Sequence, residues 1–174
     1  MSLIKLFIKN QRMKDMKLFN FTTLSLEEKK MILEWRNDPD IRKWMYNQDN
    51  ITLENHLKFI EELKIKDDQL YFLVKKNENY IGVIDFIDIN PNISLKMGIY
   101  TNPTLKGNGK ILLETIINFS FEILKVEKIF SEVFFENEKA YNLYKNYNFK
   151  EVENKVINNK IVICMEKKNE NRKF

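Results

Sequence analysis

The stretch Asn92–Leu124, NISLKMGIYTNPTLKGNGKILLETIINFSFEIL, decides how this chain folds. Ile93, Leu95, Met97 and Ile99 alternate with Ser94, Lys96, Gly98 and Tyr100, the period of a strand with two distinct faces. Pro103 and the run Lys106-Gly107-Asn108-Gly109-Lys110 break that period. From Ile111 the apolar spacing turns helical. Leu112, Ile116, Phe119 and Ile123 make one stripe, and Leu113, Ile117, Phe121 and Leu124 a second. The spacing predicts a helix buried on more than one side.

A strand, a glycine loop and a helix in series can hold a phosphate group. The first turn of a helix carries unpaired N–H groups and a partial positive charge. Glycines let that backbone approach an anion, and Lys106 and Lys110 add charge at the rim. From these residues alone, a simple turn explains the glycine pair equally well. The loop has neither the Gly-Lys-Ser/Thr ending of a P-loop nor the three-glycine spacing of a dinucleotide fingerprint.

The remaining composition narrows the class. A chain of 174 residues is expected to form one domain with a substantial core. A net charge of +4, spread along the chain rather than clustered, does not point to nucleic acid, although it favours an anionic small molecule. The single cysteine, Cys164, excludes an internal disulfide framework and reads as a packed strand thiol. With one histidine, His56, no His/Cys metal cluster can be assembled, and no metal is expected. No apolar run approaches a membrane span and no signal peptide is evident, so the expectation is a reducing, cytoplasmic setting without membrane partners.

Residues Met1–Met16 have no clear period and are expected to be a disordered extension, with Met13 and Met16 as alternative starts. The domain is expected over residues 17–167, followed by a charged tail, 168–174, with fraying from Glu166. Leu18, Phe19 and Phe21 suggest a first strand. Ser25-Leu-Glu-Glu28 is a capping-box signature for a helix that stops before Pro39. A helical turn follows over Pro39–Met45. Thr52 is the expected cap of a helix with the stripe Leu53, His56, Leu57, Ile60 and Leu63. Tyr71–Lys75 and Tyr80–Ile89 read as a hairpin around Asn77-Glu78-Asn79. After the organising segment come a strand over Lys128–Phe135, a helix capped by Asn137, and a last hairpin around Asn158-Asn159. This order predicts a mixed α/β domain with a largely antiparallel sheet of about seven strands flanked by helices.

At this point the residues resemble a family. The strand, the Lys-Gly-Asn-Gly loop and the long helix are similar to the acetyl-CoA motif of the GNAT superfamily of N-acetyltransferases. Asn137, Ala140, Tyr144 and Phe149 match the later motif of that superfamily. The loop departs from the usual pattern. Lys106 stands where Arg or Gln begins it, and Ile111 where Gly or Ala ends it. The charge and the backbone N–H survive both changes, while the bulk of Ile111 bears on how closely the cofactor lies. Within the superfamily, Glu34–Asp40 is similar to a segment found in many members, including those that acetylate ribosomal proteins. Arg42–Tyr46 and Ile51–Ile60 resemble the N-acetyltransferases of pseudaminic-acid biosynthesis, the pathway to a sugar attached to flagellin. Those enzymes acetylate the 4-amino group of a UDP-linked 4-amino-4,6-dideoxy-altrosamine.

The resemblance implies acetyl-CoA as co-substrate and assigns roles by position. Backbone N–H groups from Lys106, Gly107, Asn108, Gly109, Lys110 and Ile111 would hold the pyrophosphate. The pantetheine would pair with Ile99, Tyr100 and Thr101, with the Ile99 N–H on the thioester oxygen. Tyr144 would protonate the leaving thiolate, and Asn137 would touch the pantetheine; a core tyrosine and a helix cap are the plainer readings. Asp85 is the candidate base, because it is the one carboxylate on the strand face Ile81, Val83, Asp85, Ile87, Ile89. An ion pair with Arg36 or a strand-end position facing water would explain it equally. Trp44, Met45, Tyr46, His56 and Tyr100 are assigned to the pocket for the UDP-amino-sugar; for His56, on an apolar stripe, a satisfied core histidine is the alternative reading. Two rivals remain, a ribosomal-protein type acetyltransferase and a catalytically idle acyl-CoA-binding module. A homodimer is compatible with the sequence.

Overall fold

The computed structural model describes residues 16–170, so the extension expected before Met16 lies outside the described residues, as do 171–174. Seven strands form one sheet: β1 (Met16–Asn20), β2 (Leu70–Lys76), β3 (Asn79–Asn90), β4 (Ser94–Thr101), β5 (Lys128–Phe134), β6 (Lys150–Ile157) and β7 (Lys160–Lys168). Their spatial order is β1-β2-β3-β4-β5-β7-β6, and all neighbours are antiparallel except β4 and β5. The helices are α1 (Leu26–Asn37), α2 (Pro39–Arg42), α3 (Leu53–Glu62), α4 (Gly109–Asn118) and α5 (Glu138–Asn146). The β4–α4–β5 unit is the crossover that a parallel pair requires.

Strand alternation divides the core in two. On one face Leu18, Phe72, Val74, Ile84, Phe86, Leu95, Met97, Ile129 and Met165 pack under α4 and α5, through Leu112, Leu113, Ile116 and Tyr144. On the other face Leu73 and Val83 meet Ile32 and Trp35 of α1 and Ile60 of α3. Ser25 caps α1 through a complete capping box, and Glu28 also accepts a 2.6 Å hydrogen bond from the Tyr80 hydroxyl. One residue pair therefore ends the helix and ties it to the sheet. Asn158 and Asn159 both have positive φ, as a tight two-residue hairpin with matched twist requires.

Several boundaries differ from the sequence expectation. Met16 belongs to β1 and is buried, so the sheet begins one residue earlier. Phe21 leaves the strand for a 3-10 turn, Phe21–Thr23, held by the Asn20 side chain. Ile93 precedes β4 in a turn and is 52% exposed. Leu53, at the start of α3, is exposed rather than part of its buried stripe. The chain does not fray at Glu166: β7 continues to Lys168, which pairs with Lys128, and the Asn169 N–H donates to the Glu127 carbonyl at 2.9 Å.

Two differences have a mechanical cause. After α4 the helix widens into a π turn, Phe119–Ile123, where the Leu124 N–H reaches back five residues to the Phe119 carbonyl. The inserted residue shifts the phase of the stripe, which buries Phe119 between Phe72 and Phe86 and leaves Ile123 46% exposed. In β3, the register against β2 slips between Val74 and Lys75. Ile81 therefore lies in the α4/α5 core while Val83 lies in the α1/α3 core, and the single face expected for Ile81, Val83 and Asp85 does not exist.

Candidate active site

β4 pairs with β5 only over Ser94–Lys96, opposite Lys128–Phe130. Beyond that point no strand among the described residues lies on that edge of β4. The ladder with β3 decides which groups face the gap. The Asn102 N–H donates to the Ile81 carbonyl at 3.0 Å, and Thr101 sits opposite Gly82. Antiparallel pairs alternate, so the backbone of Gly98 and Tyr100 points to β3 while that of Ile99 and Thr101 points into the gap. Of the three residues expected to carry the pantetheine, Ile99 and Thr101 offer main-chain groups to it and Tyr100 offers only its side chain.

The gap opens onto the glycine loop. Asn102, missed in the sequence, is buried and organises the loop entry. Its amide donates to the Tyr80 carbonyl at 2.9 Å, and its oxygen accepts from the Thr104 N–H and hydroxyl at 2.9 and 2.8 Å. Gly107 has φ of +86°, a conformation that strains any residue with a Cβ. The first bond of α4 runs from the Leu112 N–H to the Asn108 carbonyl, so the N–H groups of Gly109, Lys110 and Ile111 have no acceptor within the helix. Asn108 caps α4 by position but not by side chain, and the first turn has no acidic residue. Lys106 and Lys110 are exposed at the rim. Ile111 turns its side chain into the core, so its bulk leaves the anion side free. This arrangement of donors fits a pyrophosphate.

Asp85 stands on the other side of β4, opposite Gly98 in the ladder. No cation among the described residues forms an ion pair with it, and burial pushes its carboxyl up to about 7. Its expected partner Arg36 is engaged elsewhere. Arg36 donates Nη2 to the Asn47 carbonyl at 2.9 Å, while its buried Nη1 has no partner among the described residues. Burial lowers the Arg36 pKa, Tyr100 opposes that shift, and Arg42 adds to it. The Asp85 charge acts on three phenols: Tyr71, its partner in the β2–β3 ladder, Tyr100 and Tyr144. Burial first, and Asp85 second, raises each phenol well above its usual range, so all three keep their protons at neutral pH.

Tyr144 is 6% exposed on α5, with its ring 5.7 Å from that of Phe149. The Asp85 charge acts on the Tyr144 phenol, although the two residues belong to different layers of the core. Asn137 caps α5, accepting the Ala140 N–H at 3.2 Å, which leaves its amide nitrogen for a ligand.

The loop carrying Trp44, Met45 and Tyr46 joins a network that local sequence did not reveal. Glu132 accepts from the Tyr46 hydroxyl, from Lys155 at 2.7 Å and from Lys96 at 3.2 Å. Burial opposes ionisation of Glu132, but the hydrogen bonds from Lys155, Tyr46 and Lys96 outweigh it and hold the carboxyl below its ordinary value. The Tyr46 ring meets Phe134 edge-on, and its carbonyl accepts from the Asn158 amide at 2.9 Å. The loop after α2, with Trp44 and Met45 half-buried on it, is thereby pinned to β5 and the β6–β7 hairpin. His56 is different. It is 5% exposed, its Nε2 lies 3.0 Å from the Lys29 carbonyl, and burial lowers its pKa. It ties α3 to α1 and is a core histidine rather than a pocket wall.

A mixed sheet that splits between its parallel strands, beside a glycine loop and a helix start, defines an acyl-transfer fold. The chain belongs to the GNAT acetyltransferase family, whose domain matches residues 19–150. A Campylobacter jejuni protein named Acetyltransferase PseH is 44% identical to it over 133 residues, 76% of this chain and 83% of that one. The crystal structure of C. jejuni N-acetyltransferase PseH in complex with acetyl coenzyme A matches with a TM-score of 0.73 at 35% identity, covering 88% of this chain and 98% of that one. Spermidine N-acetyltransferase from Vibrio cholerae, in complex with CoA and spermine, shares the fold with a TM-score of 0.79 at 23% identity, covering 88% and 95%.

The Asp85 environment sets a pH dependence of stability. Between the unfolded carboxyl pKa and about 7 the folded state holds a proton that the unfolded state has lost, so stability falls as pH rises through that window. The slope from this group is at most about 1.4 kcal/mol per pH unit. His56, whose pKa burial lowers, contributes an opposite slope below its unfolded value, and it does so in both proteins. Urea unfolding between pH 5 and 7 is therefore expected to show a more negative slope of stability against pH in the wild type than in Asp85→Asn; equal slopes would place Asp85 in water.

Proposed function

We propose that this protein transfers the acetyl group of acetyl-CoA directly to the 4-amino group of a UDP-linked 4-amino-4,6-dideoxy-N-acetyl-altrosamine, a step in pseudaminic-acid biosynthesis. The observation that carries the chemistry is the open edge of β4 at Ile99; the reading is supported by Asp85 opposite Gly98 in the ladder and by the influence of its charge on the Tyr144 phenol. The substrate half rests on the likeness to PseH and on the resemblance of residues 42–60.

Acetyl-CoA supplies an activated thioester. The N–H groups of Gly109, Lys110 and Ile111 hold its pyrophosphate, aided by Lys106 and Lys110, with Gly107 shaping the turn and Asn108 at the helix start. The edge of Ile99 and Thr101 takes its arm as an added strand. The Ile99 N–H stabilises the oxyanion as the amine attacks. Asp85, ionising near neutrality, accepts the proton the amine must lose. The new C–N bond replaces the C–S bond, and the phenol of Tyr144 donates its proton to the departing sulfur. Tyr100, Tyr46, Met45 and Trp44 supply flat and polar surface for the sugar and base, and Glu132 holds Tyr46 in place. His56 has no part in this pocket.

Three outcomes test the reading. The purified enzyme is expected to turn over the UDP-linked amino-sugar with kcat/KM on the order of 10²-fold above that for the free sugar, because remote binding energy positions the amine. Turnover of basic peptides or polyamines instead would replace the substrate half. Gly109→Val should fold, since a Cβ there meets only the end of Leu143 at 3.5 Å, yet bind acetyl-CoA roughly tenfold or more weakly in calorimetry. Unchanged affinity would move the pyrophosphate elsewhere. Tyr144→Phe keeps the ring, so its melting temperature should hold while kcat falls about 10²-fold with both Michaelis constants near wild type. A fully active, destabilised variant would leave Tyr144 as a core residue.

A further inference from the structure

Gly98 is the one residue of β4 whose missing side chain has a specific occupant. A Cβ built on it would lie within 2.6 Å of both carboxylate oxygens and the carboxyl carbon of Asp85. Real Cβ atoms do not approach that closely, so the Asp85 carboxyl occupies the space that any other residue at 98 would fill. The two residues are direct partners in the β3–β4 ladder. Side chains of directly opposed residues in an antiparallel pair rise on the same side, close together. An aspartate beside an alanine would therefore have to turn away. Beside glycine, it lies flat over the β4 backbone.

That position matters because of its neighbours in sequence. Ile99 presents its N–H to the open edge on one side of β4, and Gly98 holds the carboxyl against the same strand one residue earlier. We infer that Gly98 is a positioning residue for acyl transfer: its missing side chain seats the Asp85 carboxyl over β4, beside the point where the thioester meets the amine. The inference rests on the acetyl-transfer reading above for its catalytic meaning, though not for the seating itself. The titratable groups on which that carboxyl's charge acts are Tyr71 of β2, its ladder partner, Tyr100 of β4 and Tyr144 of α5, and the Arg36 charge of α1 acts on Tyr100. The three phenols keep their protons through the neutral range, so a titration near neutrality reports Asp85 and not its neighbours.

The test is Gly98→Ala, made in the wild type and in Asp85→Ala. A carboxylate can rotate away from the new methyl, so the variant should fold. In the wild type kcat is expected to drop at least tenfold, and the acidic limb of kcat/KM against pH should move to lower pH as the displaced carboxyl gains water. In Asp85→Ala the same substitution should change kcat less than twofold, because there is no carboxyl left to move. An equal loss in both backgrounds would mean that the methyl blocks the ligand itself and would overturn the inference. So would a wild-type pH profile in Gly98→Ala. A second readout needs no activity: the Asp85-dependent part of the stability slope between pH 5 and 7, taken as the difference from the Asp85→Asn slope, should flatten in Gly98→Ala. If the enzyme acetylates no amino-sugar, the substrate reading fails while the flattened slope still supports the seating; an unchanged slope refutes the seating whatever the substrate.

Discussion

The separation of β4 from β5 is the constraint on which the remaining site depends. The two strands share a ladder for only three residue pairs before they part. A strand edge inside a sheet normally finds a partner, because unpaired N–H and C=O groups away from water are costly. Here the pairing is withheld from Ile99 and Thr101, and the loop from Asn102 to Asn108 delivers the start of α4 to the same opening. An extended ligand with an anionic end satisfies both sets of groups together. The adenine nucleotide and thioester arm of acetyl-CoA have that form.

The same split decides which side chains can meet. Asp85 projects to the α1/α3 side of the sheet, with Tyr71 and Tyr100, while Tyr144 belongs to the α4/α5 core. In a continuous sheet these layers would be insulated from each other. Across the gap the Asp85 charge reaches Tyr144 and helps to raise its pKa. Under the proposed mechanism, the acid and the base come from opposite layers, each held by the core of its own layer. The cost is a carboxyl without a counter-charge among the described residues, in a poorly hydrated place, and its ionisation near pH 7 is the consequence.

The loop after α2 is held differently, by charge and by contacts distant in sequence. Tyr46 and Glu132 are 86 residues apart, and Asn158 reaches the Tyr46 carbonyl from 112 residues away. Lys96 and Lys155 share the Glu132 carboxylate, so the loop after α2 is fastened to three strands. Such a network fixes the loop while leaving Tyr46 partly exposed. It also accounts for Glu132, an acidic residue set among Phe130 and Phe134 on its strand face.

Much of this molecule was legible before folding. The period change at Pro103, the glycine loop, the capping box at Ser25 and the Asn158-Asn159 turn act over a few residues. They are enforced by local backbone sterics and hydrogen bonding, so the mixed sheet and the cofactor loop followed from the sequence. What sequence could not determine was any property set by a neighbour far along the chain. The bulge opposite Val74–Lys75 moved Ile81 to the other layer from Val83. The π turn at Phe119 shifted the end of a regular stripe. His56 went to the Lys29 carbonyl rather than to a pocket, and Arg36 turned to Asn47 instead of Asp85. Asn102, Gly98 and Glu132 are individually unremarkable residues until strand register sets them against Tyr80, Asp85 and Tyr46. Periodicity states which face of an element is apolar, whereas register and the divergence of two strands decide what each polar group meets, and those were decided only in three dimensions.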